Sequence, residues 1–243
     1  MAALNYAIRD PTLFFSLIPA FSDHYYSRAL RRALALPRVH KLDENLPRAF
    51  MEHFRLNSYE AKDPVPRLVY DIVRERKPSI VVETGVGVYG ESTAFILCAM
   101  HQNSEGHLFS IDLPPWEVPH ETTKEGDGWY VLEDGQKHYS PEAKDVGKLV
   151  PEYLKDRWTL IRGDAKVELP ILLKNLGQIS IFLHDSLHTF EHMLFEYNTA
   201  WPHVDSSGFL MSHDILWNRA FLEFTKAVGG KPVIYHNFGL LRK

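Results

Sequence analysis

Short apolar runs recur from residue 79 to the end of the chain: 79–83 (SIVVE), 107–112 (HLFSID), 158–163 (WTLIRG), 179–185 (ISIFLHD) and 208–214 (GFLMSHD). Segments with helical patterning separate them, and strands alternating with helices predict an α/β fold with a mostly parallel sheet and helices on both faces. Two further runs, 233–236 and 238–242, have almost nothing between them. No crossover helix fits there, so they pair antiparallel or form one bent strand. Upstream, residues 1–78 carry helical patches such as YYSRALRRALAL and PRLVYDIVRERK, the second stopped by Pro78. They are expected to form a helical cap on a domain spanning 79–243. Within that domain, residues 113–141 are rich in Pro, Gly, Trp and acids, and a loop of that length in a compact domain reads as a lid.

Composition narrows the function classes. The chain has 243 residues, 45% of them hydrophobic and 24% charged, which suits one large globular domain with a buried core. Its net charge of -4 offers no general attraction to nucleic acid. Arg28, Arg31, Arg32, Arg38 and Lys41 make one stretch locally basic, and a solvated helix face accounts for them. The single cysteine, Cys98, lies in an apolar run and is read as a small buried hydrophobe. One thiol excludes an internal disulfide, which fits a reducing compartment, the cytoplasm. The apolar run 12–21 is too short to span a bilayer, and no transmembrane segment is evident. Self-association into a homo-oligomer stays open.

The chemistry begins in IVVETGVGVYGES, residues 80–92, where Gly85, Gly87 and Gly90 have the GxGxxG spacing of a dinucleotide loop. Glu83 precedes the first glycine by two residues. A carboxylate there repels a pyrophosphate and attracts the ammonium and sulfonium of S-adenosylmethionine. Asp112 ends the next strand, where it can accept from ribose hydroxyls, and Asp164 follows the third, where it can accept from an adenine amino group. Three acids at successive strand ends favour a nucleoside without phosphates over NAD.

ETGVGVYGEST, FSIDLP, RGDA, HDSLHTFEH and GFLMSHD, in this order, resemble the class I S-adenosylmethionine-dependent methyltransferases. More narrowly they resemble the metal-dependent small-molecule O-methyltransferases that include the macrocin and novobiocin sugar methyltransferases and the cephalosporin C7 methoxylation protein. The resemblance covers about residues 79–243. It implies a Rossmann-like sheet with an antiparallel last strand, S-adenosylmethionine as cofactor, and cofactor-binding roles for Glu83, Gly85, Gly87, Ser92, Asp112 and Asp164.

The runs ISIFLHD and GFLMSHD both end in His-Asp, which places Asp185 and the pair His213 and Asp214 at the same sheet edge as the glycine loop. Converging carboxylates with no basic partner are neutralised by a divalent cation. Catechol-type relatives hold Mg2+ with acids at these two strand ends, so Asp185, His213 and Asp214 are the expected metal residues and Mg2+ the expected ion. Such an ion activates and orients a substrate hydroxyl. His188, three residues after Asp185, is the candidate base. Relatives often read DGDHSYE where this chain has DSLHTFE, so Leu187 replaces a second acid and the weight falls on His188. HTFEH, residues 188–192, also matches a zinc-protease pattern, but it follows a strand end rather than lying within a helix. Glu191 and His192 are expected along a helix over 189–201. The function expected is O-methylation of a hydroxylated small molecule of sugar or natural-product type. The other readings are a cofactor-binding partner without its own turnover and an NAD-dependent oxidoreductase.

Overall fold

The computed structural model describes residues 65–113 and 146–243. The basic stretch at 28–41 and the 113–141 loop, apart from Leu113, lie outside the described residues. Among the described residues, seven strands form one sheet: β1 (Ile80–Thr84), β2 (His107–Asp112), β3 (Trp158–Arg162), β4 (Ile179–His184), β5 (Val204–Ser212), β6 (Val233–Tyr235) and β7 (Phe238–Arg242). Their order is β3-β2-β1-β4-β5-β7-β6. The first five are parallel, and β7 inserts between β5 and β6, antiparallel to both. The last two apolar runs are therefore a hairpin, one of the two arrangements that their short separation left open.

Among the described residues, five α-helices cover the sheet: α1 (Val65–Arg76), α2 (Glu91–Asn103), α3 (Ala165–Leu176), α4 (Phe190–Ala200) and α5 (Ala220–Ala227). Strand alternation sends successive side chains to opposite faces. Val81, Leu108, Leu183 and Met211 pack with α1 and α2, while Val82, Phe182 and Leu210 pack with α3, α4 and α5. The inner parallel strands are largely apolar on both faces because both are covered, whereas the edge strand β3 is only partly buried. Helix α1 shares this core through Val69, Ile72 and Val73, and Cys98 is wholly buried in α2.

Register puts the ends of the parallel strands together. Thr84 pairs with Ile111 on one side and His184 on the other, and His184 pairs with Ser212. The ladder continues past the strands, with Gly85 N donating to Ile111 O at 2.8 Å, Asp185 N to Thr84 O at 2.8 Å and His213 N to His184 O at 2.9 Å. Every strand-end acid singled out in the sequence therefore lies along this one edge.

Alternation also sends Glu83 to the α2 face, directly across from Ser110 on β2. Glu83 is fully buried and accepts from Ser92 Oγ at 2.5 Å, Thr93 Oγ1 at 2.7 Å and Ser110 Oγ at 2.9 Å. Trp158 Nε1 donates to Ser110 Oγ at 2.9 Å and extends the network to β3. Ser92 and Thr93 lie in the first turn of α2, so this carboxylate pins the helix start and matches the positive end of its dipole. Burial raises the Glu83 pKa to about 7, against the lowering effect of the three hydroxyls.

A carboxyl whose folded pKa lies above its unfolded value stabilises the fold most when protonated. That contribution is complete below about pH 4.5 and is lost as pH rises through about 7. Glu83→Gln removes this titration. Urea unfolding of both proteins at pH 5 and pH 8.5 is expected to show the parent losing about 2–3 kcal/mol relative to the variant on going to the higher pH. Equal pH dependence in the two proteins would show that Glu83 ionises normally.

Candidate active site

The glycine loop leaves β1 through Gly85, Gly87 and Gly90, all with positive φ (84°, 66° and 68°). At Gly85 the requirement is also steric, because a Cβ there would lie 2.0 Å from the Asp185 carbonyl oxygen. The bare Cα lets the loop after β1 touch the turn after β4. Asp112 Oδ2 accepts from Val86 N at 2.7 Å and Gly87 N at 2.9 Å. On the carbonyl side, Gly147, Lys148 and Leu149 donate their backbone N–H groups to Gly87, Val88 and Tyr89. Two loop amides that a phosphate would need thus point at a carboxylate, and Glu83 lies beneath them.

The residues expected around a cofactor occupy distinct positions. Gly85 and Gly87 form the loop and Asp112 braces it. Ser92 donates inward to Glu83, and the Glu83 carboxylate lies under the loop with both oxygens engaged, rather than on its surface. Asp164 is exposed and caps α3, its Oδ1 accepting from Lys166 N at 2.8 Å.

The second group also converges. His188 Nε2 lies 3.6 Å from Asp185 Oδ1 and 3.7 Å from Asp214 Oδ2. His213 Nδ1 lies 3.7 Å from Asp185 Oδ1 and 3.5 Å from Asp214 Oδ1. Two carboxylates and two imidazoles therefore share one site. The His188 side chain is wholly buried, whereas Asp185, Asp214 and His213 stay partly exposed. Burial is the main cause that depresses the His188 pKa, to about 3, with His184 adding to it and Asp214 opposing it. His188 is neutral at neutral pH and a weak base.

A divalent cation suits the chemistry of this donor set. Octahedral ligands with bonds of about 2.1 Å lie about 3 Å apart at right angles, so these side chains must close by roughly half an ångström to surround Mg2+. As they stand, among the described residues, no three His, Cys, Asp or Glu side chains form a finished metal site.

Two contributors were not legible beforehand. Asn237, in the β6–β7 turn, donates from Nδ2 to Asp214 Oδ1 and accepts from Leu216 N at 2.8 Å. It holds Asp214, whose φ of 51° is in the left-handed region that acidic and amide residues tolerate best. The only hint was an Asn within a hairpin turn. Glu196 is buried on α4, on the same stripe as His192, Met193, Tyr197 and Ala200. A charged residue within an apolar helical stripe was the available signal. The HTFEH pattern separates here: His188 joins the acid cluster, while His192 is buried against Glu196 Oε1 at 2.8 Å.

A cleft of about 420 Å³, lined by His101, His107, Tyr153, Asp156 and Arg157, opens at the opposite sheet edge, where β2 and β3 begin. It lies away from both constellations. No helix among the described residues is long and apolar enough to cross a membrane.

Comparison with known proteins places this geometry. The SAH-bound methyltransferase PaMTH1 of Podospora anserina is similar in fold, with a TM-score of 0.55, 14% identity, and coverage of 91% of this chain and 96% of that one. The O-methyltransferase from Bacillus cereus in complex with SAH gives a TM-score of 0.54 at 11% identity, covering 88% and 97%. No match was found among curated protein sequences. A family model described as a methyltransferase domain matches residues 82–215, more than half of the chain, and runs from the glycine loop through both His-Asp strand ends. The chain belongs to this methyltransferase-domain family.

Proposed function

We propose that this methyltransferase uses S-adenosylmethionine to methylate a hydroxyl of a small molecule of sugar or natural-product type, assisted by a divalent cation at Asp185, His213 and Asp214. The observation that carries the reading is the contact at Gly85. The loop that would hold the methyl donor touches the Asp185 carbonyl, so donor and acceptor sites adjoin. Loop amides already engaged by the Asp112 carboxylate disfavour a pyrophosphate and suit a cationic sulfonium. The SAH in both similar structures supports the same cofactor.

In this reading Gly85 and Gly87 bring the backbone close to the donor. Asp112 meets the ribose while bracing the loop, and Asp164 faces the adenine from the start of α3. Glu83 and Ser92 act from below by fixing the first turn of α2. In the transfer, the acceptor oxygen forms a bond to the methyl carbon as the sulfur–carbon bond breaks, leaving a neutral thioether and releasing the hydroxyl proton. A bound divalent cation supplies Lewis acidity that lowers the pKa of the hydroxyl it contacts. Asp185 and Asp214 orient the acceptor side. His188 is the candidate acceptor of the proton, and its weak basicity requires the hydroxyl to be acidified first.

Calorimetry with S-adenosylmethionine, SAH and NAD tests the cofactor. Saturable binding of the first two is expected, and NAD binding alone would indicate an oxidoreductase. Asp185→Ala and Asp214→Ala are expected to lose any response to divalent cations while still binding SAH. Full turnover in excess chelator would reject the metal role.

If His188 accepts the proton, His188→Ala is expected to lower turnover by about 100-fold, the low end of the usual acid–base contribution because so weak a base assists less, with SAH affinity nearly unchanged. Because the imidazole is already deprotonated above a pKa of about 3, the parent's pH–rate profile should show no break near pH 6.5 from this residue. Its contribution should fall only as pH drops through about 3. His101→Ala, at the opposite edge, serves as the control. Matching rates for His188→Ala and the parent would make His188 structural.

A further inference from the structure

Glu196 is wholly buried and accepts four hydrogen bonds. Oε2 receives Thr84 Oγ1 at 2.5 Å and His184 Nδ1 at 2.6 Å, while Oε1 receives Ser186 Oγ at 2.7 Å and His192 Nε2 at 2.8 Å. Burial would raise its pKa, but the charge and hydrogen bonds of His184, with those of His192, pull it well below the usual carboxylate range. A carboxylate can only accept, so both ring nitrogens facing it carry protons.

The positions of the four donors give the network its meaning. His184 and Ser186 flank Asp185 on either side, and Thr84 precedes Gly85, the glycine that touches the Asp185 carbonyl. The His184 ring stands edge-on to His188 at 5.1 Å. Stability is a poor reason for this arrangement, because a buried charge is seldom better than an apolar side chain of similar volume. On the stripe of α4 between Met193 and Tyr197, an apolar residue would serve packing alone.

We infer that Glu196 is a positioning residue: from behind the sheet edge it clamps the segment 184–186 and the end of β1, fixing Asp185 for the divalent cation. The inference rests on the metal-assisted reading above. Carboxylates hydrogen-bonded directly to a metal's ligands contribute a factor of about 10–100 to cation affinity, and Glu196, which bonds to the residues on both sides of Asp185, is taken to act on that scale.

The test uses the full chain and Mn2+ as the probe, with free Mn2+ followed by electron paramagnetic resonance and SAH binding followed by calorimetry. Glu196→Gln is expected to weaken Mn2+ binding about 10- to 100-fold while SAH affinity stays within about threefold, a split that general destabilisation does not produce. Ser186→Ala, which removes one of the four donors and leaves the charge in place, is expected to weaken Mn2+ binding less, in the same direction. If Glu196→Gln folds and binds Mn2+ as the parent does, the inference is overturned. If that variant does not fold, unchanged Mn2+ affinity in Ser186→Ala overturns it. A parent that binds SAH but no Mn2+ overturns the metal-assisted reading, and this inference with it.

Discussion

The close approach of Gly85 to the Asp185 carbonyl is the constraint on which the site depends. β1 and β4 are neighbours in parallel register, so their ends lie side by side, and the two turns leaving them must pass within contact distance. Any side chain at residue 85 would meet backbone at 2.0 Å, and backbone cannot swing aside as a flexible side chain can. Positive φ at the same residue turns the chain toward α2. One glycine thus joins the loop expected to hold the donor to the acids expected to face the acceptor.

Around this point the sheet buries one carboxylate on each face. Glu83 lies on the α2 side among Ser92, Thr93 and Ser110, and Glu196 lies on the α4 side among Thr84, His184, Ser186 and His192. Glu83 and Thr84 are consecutive on β1, and strand alternation sends one to each network. The environments separate their titration. Three neutral hydroxyls do not offset burial at Glu83, whereas two imidazole donors do at Glu196. The first network sets where α2 begins, and the second sets where β4 ends.

The acids at the sheet edge are tied to the loops around them. Asp112 holds Val86 and Gly87, Asp164 caps α3, and Asn237 reaches from the last hairpin to Asp214. The antiparallel β7 matters for the last of these. By inserting beside β5 it brings the β6–β7 turn against the loop that follows β5, with Asn237 O accepting from Ile215 N at 3.2 Å. A parallel last strand would have carried that turn elsewhere.

The sequence by itself determined the local grammar. Apolar runs of strand length, the glycines after β1, and acids at the ends of β1, β2, β4 and β5 were legible because strand periodicity and turn chemistry act over a few residues. Parallel order then required those ends to share an edge. It did not determine which way each carboxylate faces. Glu83 read as a ligand-facing acid and is buried under the loop; His192 was expected along the helix after His188, but its buried partner Glu196 was not legible. Glu196 and Asn237 stayed hidden because their partners lie 10 to 112 and 21 to 23 positions away, respectively, apart from His192 in the same helix. Only tertiary packing decided these matters, because burial and pairing of a polar group depend on what the rest of the chain brings to it.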